Sequence, residues 1–248
     1  MQTAQRAFAM LAGFLAAGLA SAGGPLAVDA NGEPFKWSTG ADIQYRTDGG
    51  RLSETVDNSQ ALARVASMFD RWEDEPSASI GYDRAGPIQT VGAFTDGDVS
   101  TAVEFNAVDG SCGSGVQSPI VFDEDGALFE DLGQDPDVIG FAGPCAIDGS
   151  GRILSGSAVL NGLFQDGIET VDNPELEPAE FDAAFVHEFG HFSGLEHSQI
   201  NVECANGFCS LDDQEGLPTM FPFLVTEEQG TLSDDDIAWI SRLYPSGG

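Results

Sequence analysis

All three histidines of this 248-residue chain fall within eleven positions, in the stretch "AAFVHEFGHFSGLEHS", as His187, His191 and His197. Spacings of four and then six constrain the fold more tightly than any other feature of the sequence. No helix breaker precedes Gly190, and Phe181, Ala184, Phe185 and Phe189 recur at helical intervals, which predicts a buried helix through Phe192. On such a helix His187 and His191 project from one face about a turn apart, as two ligands of a tetrahedral metal require. A helix that simply continued would carry His197 around the far side of its axis. Gly194 can adopt positive φ, end the helix and turn the chain back toward the first two imidazoles. The spacing therefore predicts a helix, a break at Gly194 and a third ligand after it.

Three protein ligands leave one tetrahedral position for water, the arrangement of a catalytic rather than a structural zinc. Zinc brings the pKa of such a water toward ~7. Glu188 directly follows His187 and is the natural general base, carrying the proton on to a leaving amine, so the chemistry expected is hydrolysis of a peptide bond. HExxH alone arises by chance in many helical sequences, but HExxHxxGxxH fixes five residues and here uses every histidine in the chain. Two other readings fit the motif. A structural site would be closed by a fourth ligand such as Glu196 or Cys204. A catalytically silent zinc-containing binding or adhesion protein would keep the site without turnover, although a site that only holds metal has no need of Glu188.

The segment "HEFGHFSGLEHS" carries the metzincin signature and resembles the matrixin branch, in which a serine, here Ser198, follows the third histidine. "PTMFP" resembles the matrixin Met-turn, which implies Met220 as the floor beneath the imidazoles and Pro222, with Phe221, at the pocket for the side chain after the scissile bond. "LSDDDIAWISRLYP" resembles the C-terminal helix of that branch, and "KWSTGADIQYR" its opening strand. The resemblance implies a secreted, bacterial-type zinc endopeptidase acting on protein or peptide substrates. It also implies an α+β metzincin fold: a twisted mixed sheet, an active-site helix, a second long helix and a C-terminal helix. An edge strand above the zinc helix would bind substrate as an added antiparallel strand, and Ile153 to Gly162 is the candidate. No histidine remains for the second, structural zinc of animal matrixins. Position 222 is proline where astacins and serralysins place a tyrosine ligand, so that ligand is expected to be missing.

The rest of the chain bounds this reading. Arg6, the apolar run Ala7 to Ala20 and "ASA" at 20–22 form a signal-peptide pattern over 1–22, and 14 apolar residues fall short of the ~20 that span a bilayer. Export of a monomer is expected, with a linker at 23–35 and one domain at 36–248. Cleavage would remove Arg6 and no acid, leaving eight basic residues against 41 acidic, a net charge of −33. That excludes a nucleic-acid or anionic-membrane binder, which needs a basic footprint. Four cysteines suit an oxidising compartment; Cys204–Cys209 and Cys112–Cys145 are the expected pairs among three possible connectivities. Some of the acid could cradle structural calcium, and Asp123 and Asp125 in "DEDGALFEDLGQDPD" are the candidates, without EF-hand spacing.

Local patterns supply the elements. "DIQYRT" alternates like a half-buried strand, and Leu62, Val65, Met68, Phe69 and Trp72 form one face of a helix within Glu54 to Trp72. "SASIGY", "VGAFT", "AVEFNAV", "PIVFD", "VIGFAG" and "ILSGSAVLNG" read as short strands between Gly/Asp turns. Ser233 can cap a last helix, with Asp234 to Asp236 at its positive end and Ile237, Ile240 and Leu243 as its apolar stripe.

Overall fold

Ile43–Thr47 (β1) alternates buried and exposed side chains as its sequence predicts, and lies inside a five-stranded sheet. The computed structural model describes residues 8–9, 23–170, 174–198, 210 and 216–247. The other strands are Tyr82–Pro87 (β2), Pro119–Asp123 (β3), Gly140–Ile147 (β4) and Ile153–Asn161 (β5). Their order across the sheet is β2-β1-β3-β5-β4; the first four run parallel and β4 is antiparallel to β5. A short pairing joins Phe8–Ala9 antiparallel to Phe223–Leu224.

Helices cover both faces of the sheet. Asn58–Glu73 (α1) and Pro178–Phe192 (α4) pack on one side, while Ala102–Gly113 (α2) and Ala127–Asp131 (α3) pack on the other. Period-two alternation divides the strands between these layers: Ile120, Phe122, Ala158 and Leu160 join the core under α1 and α4, whereas Val121 and Val159 join the core under α2 and α3. All five residues of β3 are buried, as a strand sandwiched between two helical layers requires. Asp234–Leu243 (α5) closes the chain, and its Ile240 and Leu243 enter the larger core.

The α1–α4 contact fixes the helix that carries the histidines. Val65, Met68, Phe69 and Trp72 form the buried stripe of α1, and Phe69 stacks on Phe189 of α4 with ring centroids 3.8 Å apart. Trp72 donates its indole N–H to the Val186 carbonyl at 2.9 Å, so the large ring is buried without an orphan donor. Asp57 caps α1 through the Gln60 amide.

Four expectations about strands change. "AVEFNAV" is not a strand but the first two turns of α2, started by Thr101, whose side chain accepts from the Glu104 amide. "VGAFT" is a turn closed by a bridge between Val91 and Phe94, and "SASIGY" gives only Tyr82 to a strand. Ile153 to Gly162 is not an edge: β5 is paired on both sides, and the antiparallel edge strand is β4. Residues from the expected linker are tied down, since Leu26 donates to the Gly194 carbonyl at 2.7 Å and Glu196 to the Gly24 carbonyl at 2.9 Å.

Candidate metal centre

The helix α4 is buried almost all round, because Phe181, Ala183 to Phe192 lie in the core with neighbours on every side. Pro178 occupies its first turn, and Glu180 accepts from the Glu177 amide at 2.9 Å. The helix ends at Phe192, as the spacing predicts, and Gly194 follows with φ +94°. That conformation is open to glycine and strained for residues with a Cβ, and it returns the chain toward the helix. His197 thereby meets the other two rings: ring centroids are 4.7 Å apart for His187–His191 and His191–His197, and 5.2 Å for His187–His197.

Backbone carbonyls orient two of the rings. His187 Nδ1 lies 2.7 Å from the Thr219 carbonyl, and His191 Nδ1 lies 2.8 Å from the Leu195 carbonyl. A carbonyl can only accept, so each Nδ1 carries the proton and each Nε2 keeps its lone pair. His187 Nε2 is buried with no hydrogen-bond partner, and His191 Nε2 faces His197 Nε2 at 3.1 Å. Ligand atoms of the three histidines all lie within 4.8 Å of one another. Zinc bound about 2.0–2.1 Å from each nitrogen would hold tetrahedral partners about 3.3 Å apart. The donor set, its tautomers and the orphaned nitrogen therefore fit a divalent metal, and these three histidines could hold one.

Burial sets the charge states. His187 is pushed well below the ordinary imidazole range, first by burial and then by His191 and His197. Burial takes His191 down to about 4, and burial with the neighbouring His191 takes His197 down to about 3. All three rings are free bases at neutral pH, the form that ligates a metal. Glu188 is fully buried, neither carboxyl oxygen has a hydrogen-bond partner, and burial raises its pKa well above the usual carboxylate range. It rests against the first residue of β4: a Cβ on Gly140 would stand 2.9 Å from Glu188 Cγ.

Met220 lies beneath the helix. A Cβ on Gly190 would fall 2.2 Å from its sulfur and 2.9 Å from a Trp72 ring carbon, so the absence of a side chain at 190, one residue before His191, admits the thioether to the helix surface. Asp236 anchors this loop, accepting from the amides of Thr219 at 2.8 Å, Met220 at 3.0 Å and Ser233 at 2.8 Å. Its sequence position suggested only a favourable charge at a helix start. Ser198 donates to Asp235 at 2.6 Å, which links the third-ligand loop to α5.

The remaining sites fall as follows. Phe221 is fully buried with Leu217, and Phe223 and Val225 pack on the pair, while Pro222 is half-buried beside them. Asp123 accepts from the Phe129 amide at 2.8 Å and Asp125 from the Ala127 amide at 3.1 Å. Among the described residues, the three histidines form the group able to hold a metal, and neither aspartate belongs to it. Cys112 and Cys145 form a disulfide with Cα atoms 5.5 Å apart. Cys204 and Cys209 lie outside the described residues. No helix among the described residues is long and apolar enough to cross a membrane. No family model matches the chain, and no curated protein is significantly similar to it.

Proposed function

We propose that this protein is a secreted zinc endopeptidase on a metzincin fold of the matrixin type. One observation carries the reading: three neutral imidazoles converge, two of them with Nε2 left bare by carbonyls at Nδ1, and the residue after the first is a buried carboxyl whose two oxygens have no partner. His187, His191 and His197 would hold the zinc. Bound zinc would polarise a substrate carbonyl and make nearby water acidic enough to ionise near neutrality. Burial alone favours the protonated form of Glu188, but beside a bound cation its carboxyl would ionise, accept the proton of the attacking water and deliver it to the leaving amine as the peptide bond breaks. A carboxyl kept from water, with no fixed hydrogen bond to surrender, is free to change partner in that sequence.

Substrate is held along β4. This strand is the antiparallel edge of the sheet and begins against Glu188, so an extended peptide added to it would run past the catalytic carboxylate. Pro144 interrupts the hydrogen-bonding edge within β4, which limits how far such pairing extends. The signal-peptide pattern and the Cys112–Cys145 disulfide support an extracellular protein. A monomer cleaving protein substrates is the form we propose.

Zinc content of the purified protein and digestion of casein or a peptide library, each with and without a zinc chelator, test the reading. One zinc per chain and chelator-sensitive cleavage are expected. The burial of His187, Glu188 and His191 favours one rival, a zinc-containing binding protein without turnover. Zinc without cleavage across the library would decide for that rival, and protein that takes up no zinc would exclude both.

A further inference from the structure

We propose that Glu196 is a positioning residue for the third ligand, holding the proton of His197 on Nδ1 so that Nε2 is left bare for the metal. The proposal rests on the zinc reading above. His187 and His191 have their outer nitrogens fixed by backbone carbonyls. For His197 the group on that side is a carboxylate: Glu196 Oε1 is 3.6 Å from His197 Nδ1 and accepts the His197 backbone N–H at 2.8 Å. The carboxylate is thus anchored beside the ring, outside hydrogen-bond distance of Nδ1 but within reach of its charge. The Glu196 backbone is itself secured, its N–H donating to the Gly24 carbonyl at 2.9 Å.

A competing arrangement explains why this matters. His191 Nε2 is an acceptor, because its Nδ1 donates to Leu195. A proton on His197 Nε2 would bridge the 3.1 Å between the two rings as an ordinary hydrogen bond and close the pair against a cation. A proton on Nδ1 faces the negative carboxylate instead and leaves two lone pairs aimed at the same point. Glu196 selects the second state, and a carboxylate acting through the far nitrogen also makes the ligand more basic. Its place on the Nδ1 side distinguishes this role from that of a fourth ligand, and the metal-holding group among the described residues contains only the histidines.

Two measurements on the full chain test this. In the metal-free protein, nitrogen chemical shifts should identify His197 as the Nδ1–H tautomer, and Glu196→Gln should move it toward Nε2–H. Glutamine keeps the length and the acceptor oxygen, so a purely structural role predicts no such change. In chelator competition, Glu196→Gln and Glu196→Ala should weaken zinc about 10–100-fold. Equal zinc affinity in wild type and variants, or an Nε2–H tautomer in the wild type, would overturn the inference while leaving the peptidase reading intact. A zinc-loaded crystal structure with a Glu196 oxygen about 2.0–2.2 Å from the metal would also overturn it, by making Glu196 a ligand. Wild-type protein that binds no zinc removes both.

Discussion

Four side chains within eleven residues carry the chemistry proposed here, and they were legible because helical spacing alone brings two ligands and the base together. Glu188→Gln keeps the shape of the base and removes its proton-accepting charge. It should retain zinc and lose about 10² or more in kcat; near-normal proteolysis by the zinc-loaded variant would contradict the assignment. The depressed imidazole pKa values lead to a second expectation. Zinc competes with protons for a ligand, and a free imidazole near 6.5 would begin to lose that competition just below neutrality. Burial lowers His191 to about 4 and His197 to about 3, with His187 well below its ordinary value. Protons are therefore weak competitors between pH 7 and 5, and zinc affinity should stay nearly flat there and fall only as pH approaches 4. Chelator competition at half-unit steps measures this, and a steep fall beginning at 6.5 would show rings that titrate like exposed ones. The orienting partners were not legible. Thr219 and Leu195 act through carbonyl oxygens, which no side-chain pattern announces, and Thr219 reaches His187 across 32 positions.

At the level of elements, the sequence marked those with strong periodicity and missed those whose identity depends on neighbours. The stripe of α1 and the end of α4 at Phe192, just before Gly194, follow from local pattern. Alternation of Val103, Phe105 and Ala107 imitates a strand, yet Thr101 and Glu104 form the start of a helix, and Phe105, Val108 and Cys112 are its buried stripe. Sheet order was beyond local reading, although one sign bore on it: Pro144 suits an edge. Asp236 shows how one residue joins elements. It begins α5, yet its buried carboxyl binds two amides of the Met220 loop, and that loop supplies the carbonyl that orients His187. Asp236→Ala leaves those amides without a partner and should cost about 2–4 kcal/mol of stability. Zinc retention against a chelator should fall with it, because His187 loses its guide. Denaturant melts of the metal-free protein give the first quantity; an unchanged midpoint with unchanged zinc retention would mean the loop holds its shape without the carboxylate.

For the whole molecule, charge is the dominant feature that the fold does not neutralise. The chain carries a formal charge of −32, and its Lys/Arg ion pairs among the described residues include Arg51–Glu124, Arg64–Asp182 and Arg152–Asp148, leaving most acids to face solvent and one another. Some of this repulsion is built into the interior. Burial holds Asp48 up at about 7, with Asp98 adding to the effect, and its oxygens are occupied by the amides of Gly50, Val99 and Phe122. Exposed like charges weaken a compact state in proportion to how far their fields reach, and salt shortens that reach from about 10 Å at 0.1 M to about 3 Å at 1 M. The unfolded chain spreads the same charges over a larger volume and gains less from screening. Melting temperature should therefore rise with sodium chloride across this range, in zinc-loaded and metal-free protein alike. Repeating the titration with choline chloride separates screening from cation binding: equal rises indicate screening, and a rise confined to sodium indicates a bound ion. A melting temperature that falls with either salt would mean that the few ion pairs outweigh the repulsion.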